Sequence, residues 1–183
     1  MTYDWQKIFK ESAPLLTLTA FIGVLGGQIL NSVDKLIIEL PVLLFLLPVM
    51  NGLGGNIGTI LSARITSGLH AGYITSKMKD KELKENIYVG LLLGSATYLI
   101  VAVAVSTSTT VIDLTPMALE LFLTIIGTGM LISVSIILLT VTLVIYSYKK
   151  RLDPDNVVVP VITTLGDFIG ISCLIFMIWL VIL

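Results

Sequence analysis

The feature that most constrains this chain is the repetition of long apolar stretches along its 183 residues, with most charges confined to the short segments between them. Hydrophobic residues make up 56% of the sequence and charged residues 13%, and the mean hydropathy is +1.01. Soluble globular domains contain about 25% charged residues, so this composition excludes that class. Apolar stretches of this length cross lipid as helices, and we therefore predict an all-α integral membrane protein.

The apolar stretches predict five transmembrane helices in a single membrane domain covering residues 1–183, a multi-pass protein of the cell membrane. Basic residues are concentrated in the N-terminal segment, in the loop 77–85 and at 149–151. Because basic loops stay in the cytoplasm, we expect the N-terminus inside and the C-terminus outside. The expected spans are 14–30, 36 to beyond 64, 87–105, 117–148 and 157–183.

Several classes of function are excluded by composition and spacing. The single cysteine excludes a disulfide framework and a cysteine metal cluster, and a net charge of −1 gives no reason to expect nucleic acid. The dipeptide Ala63-Arg64, with Gly72 nearby, superficially resembles the motif of CDP-alcohol phosphotransferases, which needs several aspartates around it. Those positions hold Thr59, Lys77 and Lys81. We therefore predict no enzyme and no catalytic cofactor.

The second span contains Asn-Gly-Leu-Gly-Gly-Asn at positions 51–56. This sequence predicts an interrupted helix, whose freed backbone groups are tolerated at membrane depth only when buried in protein or lining a cavity. Broken helices of this kind often surround transporter ion sites. The alternative is a glycine-rich kink that lets two helices cross closely. The predicted pathway-lining residues of this segment are Asn51, Gly54, Gly55 and Asn56.

The last apolar stretch carries one carboxylate, Asp167, about ten residues after its start at Val157. At ~1.5 Å per residue this is roughly 15 Å deep, the middle of a ~30 Å hydrocarbon core. An Asp at that depth costs about 2.5–3.5 kcal/mol on the insertion scale and normally faces a cavity or a bound cation. We therefore predict that Asp167 is the central ion-binding residue.

Oxygen-bearing residues precede Asp167 on the same helical face and form a stripe toward the cytoplasmic end. Oxygen ligands alone favour hard cations, and a single carboxylate suits a largely hydrated Mg²⁺. Two carboxylates brought together in a symmetric homodimer would balance the charge better. Asp167 could instead be a structural residue or a proton carrier. The residues that share this face are Thr163, Thr164, Pro160 and Asn156, with Asp153 and Asp155 at its mouth. Pro160 has no N–H, so the carbonyl of Asn156 could face a cavity.

Two segments resemble the MgtE-type magnesium transporters and the related eukaryotic solute carriers of family forty-one. The first is Pro48–Gly58, rich in glycine and asparagine and followed by Leu61-Ser-Ala-Arg64. The second is Asp153-Pro-Asp-Asn156, followed by Pro160 and Thr164-Leu-Gly-Asp167. The two segments occur in the family's order, and together with five spans the resemblance covers nearly the whole chain.

The resemblance implies a five-helix subunit that forms a homodimer, or half of a fused pseudo-dimer, with a Mg²⁺ pathway between the halves. It implies that Asp167 is the pore aspartate, that Thr163 contributes a carbonyl to the hydrated ion, and that Asp153 stands at the entrance. Bacterial members often carry Asn at the position of Val159 and Gln at that of Ile60. The cytoplasmic N-terminal and CBS regions of bacterial relatives are expected to be missing.

The leading hypothesis is therefore Mg²⁺ transport through a homodimer interface, with membrane lipid and Mg²⁺ as the other partners. A Na⁺-coupled Mg²⁺ exchanger is the alternative within transport. A non-transporting assembly subunit of a membrane complex is the alternative from another class, although it would not readily explain a carboxylate at the bilayer midplane.

Overall fold

The computed structural model describes residues 5–77, 79–108 and 117–182. These residues form six α-helices and no strand. Five of the helices are long and apolar enough to cross a membrane, which confirms the predicted all-α class and the five spans. The helices are α1 (Trp5–Ser32), α2 (Asp34–Glu39), α3 (Val42–Ala71), α4 (Lys81–Ser108), α5 (Ala118–Lys149) and α6 (Pro154–Val181).

Helix α5 is the centre of the bundle. It packs against α3, α4 and α6, and it has the largest buried share of the five long helices. Helix α1 packs mainly against α6 and leaves most of its surface exposed. It begins earlier than predicted and includes Pro14 in its interior, which transmembrane helices tolerate when neighbouring groups satisfy the freed backbone.

Helix α3 is continuous from Val42 to Ala71, so the predicted interruption at 51–56 is wrong. The glycines allow close approach to α5 instead. A Cβ on Gly54 would lie 2.7 Å from Ile132, and a Cβ on Gly58 would lie 2.8 Å from Ile136. Tight packing between helices compensates for the weak helix propensity of glycine. The structure therefore agrees with the close helix crossing that was the alternative to an interrupted helix, here between α3 and α5.

Asp80 fixes the turn that leads into α4. Its Oδ1 accepts a hydrogen bond from the Leu83 amide at 3.1 Å, and its Oδ2 accepts from the Thr75 amide at 3.0 Å and the Thr75 hydroxyl at 2.7 Å. The Thr75 hydroxyl, followed by the Leu83 amide, lowers the pKa of the Asp80 carboxyl below its ordinary value. Asp80 therefore caps the helix in its ionised form.

We expect Asp80→Ala to lower the melting temperature in detergent at neutral pH, since the amide of Leu83 and the hydroxyl of Thr75 lose their acceptor. Because folding depresses this pKa, the stabilisation is complete above the ordinary Asp value and disappears as pH falls through the lower folded value. Melting curves of both proteins from pH 7 downward test this. A difference that stays constant below pH 4 contradicts it.

Candidate functional site

Asp153 is the N-cap of α6, at the end of the helix that is predicted to face the cytoplasm. The Asp153 Oδ1 accepts a hydrogen bond from the Asp155 amide at 3.1 Å, and Pro154 occupies the first turn. The exposed Asp153 lines a polar cleft of about 640 Å³ together with His70, Lys149 and Arg151. The predicted entrance carboxylate therefore lies beside basic side chains that the sequence analysis did not associate with it.

Asp167 lies midway along α6 and its side chain is exposed. It opens into a cleft of about 410 Å³ between α1, α3 and α6, which we call the Asp167 cleft. The polar residues of this cleft are Asp167, Thr164 and Asn51, so the structure brings together three of the predicted site residues. The remaining lining residues are Ile22, Gly23, Gly26, Pro48, Gly52, Phe168 and Ile171.

Within the described part of the chain, no side chain forms a hydrogen bond or an ion pair with the Asp167 carboxylate. One turn earlier, the hydroxyl of the exposed Thr163 donates to the carbonyl oxygens of Val159 and Pro160, each 3.1 Å from its Oγ1. The hydroxyl of Thr163 is thus occupied by its own helix, whereas the carboxylate of Asp167 is available to a ligand.

The crossing of α3 and α6 holds the two polar walls of the Asp167 cleft together. A Cβ on Gly166 would lie 3.6 Å from the backbone nitrogen of Gly55, and a Cβ on Gly55 would lie 3.9 Å from the Thr163 Cα. A Cβ on Gly170 would collide with the Asn51 Oδ1, which is buried and has no hydrogen-bond partner among the described residues. Small residues at these positions let the two backbones approach closely.

Other predicted site residues lie elsewhere. Gly54 packs against Ile132 of α5, and Asn56 lines a separate cleft between α3 and α4. Asn156 and Pro160 lie within α6 toward its N-terminal end, half-buried. The sequence analysis missed the wall that α1 adds to the Asp167 cleft. The signal for it was the pair of small residues Gly23 and Gly26, which line the cleft beside Ile22.

A pre-assembled metal cage is not present in the described residues, since they contain no group of three or more His, Cys, Asp or Glu side chains that could hold a metal ion. The Asp167 cleft therefore offers one carboxylate and the Thr164 hydroxyl, with the Asn51 side chain beside them and its Oδ1 buried against Gly170. Such a set of oxygen donors can stabilise a cation that keeps most of its own water, as Mg²⁺ does.

Comparison with known proteins shows which family this chain resembles. Residues 47–177 match the MgtE family, described as a divalent cation transporter. The magnesium transporter MgtE of Bacillus subtilis is 29% identical over 163 residues, covering 86% of this chain and 34% of that protein. Solute carrier family 41 member 2 of Gallus gallus is 26% identical over 175 residues, covering 82% of this chain and 30% of that protein.

The chain therefore spans about a third of the length of these curated relatives. The family match includes most of α3 and nearly all of α6, the two helices that carry Asn51 and Asp167. It also extends over α4 and α5, well beyond half of the chain. The protein is thus a multi-pass membrane protein that belongs to the MgtE family of divalent cation transporters.

Proposed function

We propose that this chain transports Mg²⁺ across the membrane through a pathway in which Asp167 binds the ion. The observation that carries the proposal is the exposed Asp167 carboxylate midway along a membrane helix, without a hydrogen-bond or ion-pair partner among the described residues. A carboxylate at that depth is costly and is usually retained for an ion or proton pathway. The name of the Bacillus subtilis relative, a magnesium transporter, supports Mg²⁺ as the ion.

The pathway is proposed to form between two copies of the chain. One carboxylate balances only half of a divalent charge, and no described cluster of acidic, histidine or cysteine residues adds to it. Thr163 and Asp167 are both exposed on one face of α6, so a second copy related by a two-fold axis could bring its own Asp167 to the same ion. A hydrated Mg²⁺ between the two carboxylates would have a balanced charge.

The proposed route enters at Asp153 and follows α6 past Asn156, Pro160 and Thr163 to Asp167. Beyond Asp167, the amide of Asn51 on α3 is the next polar group in the cleft. We place the basic clusters of 77–85 and 149–151 in the cytoplasm, which puts the N-terminus inside and the C-terminus outside. In this proposal, residues 1–183 act as one transport unit and do not catalyse a reaction.

The test is Mg²⁺ flux into liposomes that carry the purified protein, measured with an entrapped fluorescent indicator. We expect Mg²⁺ entry above that of protein-free liposomes. An imposed Na⁺ gradient separates the two transport mechanisms, because an exchanger requires the gradient whereas a passive pathway follows the Mg²⁺ gradient alone. Absence of flux under both conditions would contradict transport and favour the assembly subunit.

A further inference from the structure

A second cleft of about 180 Å³ lies between α3 and α4, on another face of α3, and shares no lining residue with the Asp167 cleft. We call it the Arg64 cleft. Its wall is mainly apolar but includes Asn56 and Thr97, and Arg64 and Asn86 lie together at one end. The apolar side chains of the wall are Leu53, Ile57, Ile60, Leu61, Val89 and Leu93.

The polar end of the Arg64 cleft is held in a fixed arrangement. The Arg64 Nε donates a hydrogen bond to the Asn86 Oδ1 at 2.7 Å, and the Asn86 Nδ2 donates to the Glu82 carbonyl oxygen at 2.8 Å. Asn86 is only 8% exposed. A guanidinium has five N–H donors, and Asn86 takes one of them. The structure describes no carboxylate paired with Arg64, so its other donors can bind an anion.

The position of Arg64 along the helices matches the depth of lipid headgroups. Arg64 lies seven residues before the end of α3, and Asn86 lies five residues after the start of α4. At ~1.5 Å per residue they are roughly 8–10 Å from the helix ends. Since α3 is about 45 Å long against a ~30 Å hydrocarbon core, this depth is close to the lipid–water boundary.

The rest of the cleft has the length of an acyl chain in one leaflet. From Arg64 to Leu53 it follows eleven residues of α3, or about 16 Å, which is close to the ~15 Å thickness of hydrocarbon in one leaflet. Ile60 is 52% exposed and Leu93 is 47% exposed, so the wall opens toward the bilayer. The first turns of α4 carry Lys81 and Lys84 but also Glu82 and Glu85, and the Lys81 Nζ lies 3.6 Å from the Glu85 Oε1, so Arg64 is the unbalanced positive charge at the polar end.

We propose that the Arg64 cleft binds an anionic phospholipid, with the phosphate on the Arg64 guanidinium and one acyl chain along the apolar wall. A guanidinium binds phosphate oxygens in a bidentate manner, and basic pockets between membrane helices on the cytoplasmic side recognise anionic headgroups. This site is independent of ion binding at Asp167. A second copy of the chain, the other candidate occupant, would have to bury the free guanidinium donors without an identified acceptor.

Native mass spectrometry of the detergent-solubilised protein tests the proposal, with phosphatidylglycerol and phosphatidylcholine of identical acyl chains as probes. We expect the wild type to retain phosphatidylglycerol about tenfold more tightly, because one charge-assisted contact suffices for a factor of that size. Equal retention of the two lipids by the wild type would overturn the proposal without any variant.

Three variants locate the site. Arg64→Gln is expected to abolish the preference for phosphatidylglycerol. Arg64→Lys is expected to retain part of that preference, because it keeps the charge but loses the hydrogen bond from Nε to Asn86. Lys149→Gln removes one charge outside the cleft and should keep the full preference. Equal losses in Arg64→Gln and Lys149→Gln would contradict the site. A change from dimer to monomer in Arg64→Gln would show that a second copy occupies the cleft.

Discussion

Asp167→Asn is expected to reduce Mg²⁺ flux into liposomes by more than about tenfold while leaving the protein folded. The substitution keeps the size of the side chain and removes only its charge. A divalent ion about 5 Å from a carboxylate is stabilised by roughly 1.7 kcal/mol even in water, and by more near protein. About 1.4 kcal/mol corresponds to a factor of ten in binding. If two copies contribute Asp167 to one ion, the variant loses both charges.

The matched control is Asp34→Asn, which removes an exposed carboxylate from the first turn of α2, outside the Asp167 cleft. We expect this control to conduct like the wild type. Asp167→Glu, which retains the charge at a slightly different position, should keep more flux than Asp167→Asn. If Asp167→Asn conducts as well as Asp34→Asn, the pathway does not depend on Asp167 and the proposed site is wrong.

The helices were predictable from the sequence because hydropathy is a local property. Charged segments at 77–85 and 149–153 separate the apolar stretches, and counting from them places Asp167 near the middle of α6, where the structure has it. The side of the membrane on which each terminus lies stays a prediction. The role of Asp167 also stays a prediction, since its motif implies ion binding but its position alone does not establish it.

The continuity of α3 could not be predicted from its own residues. Locally, Asn51 through Asn56 is a poor helix former, and glycine alone costs about 1 kcal/mol per position. The compensation comes from Ile132 and Ile136, which lie about 80 residues away in the chain. In the same way, Arg64 and Asn86 are separated by a turn whose geometry fixes their contact. Tertiary packing, which a single sequence does not display, determined both outcomes.

The largest effect on stability is expected from Gly58→Leu. A Cβ on Gly58 would collide with Ile162 of α6 and would lie 2.8 Å from Ile136 and 3.2 Å from the Thr140 hydroxyl of α5. Three side chains from two helices meet this one position. Overpacking by a few atoms costs about 1–3 kcal/mol, and the leucine adds four carbons. We therefore expect loss of the folded bundle, or a much lower melting temperature in detergent.

Gly52→Leu is the control on the same helix, because no atom lies within 4 Å of a Cβ at this position. Replacing an exposed helical glycine by leucine should leave the melting temperature unchanged or raise it, since leucine is the better helix former. Gly58→Ala should fall between the two variants, because it adds only the colliding Cβ itself. Equal melting temperatures for Gly58→Leu and Gly52→Leu would mean that α3 does not pack against α5 and α6 through Gly58. The close approach that holds Asn51 beside Gly170 would then lose its explanation, because Gly58 belongs to the same α3–α6 crossing.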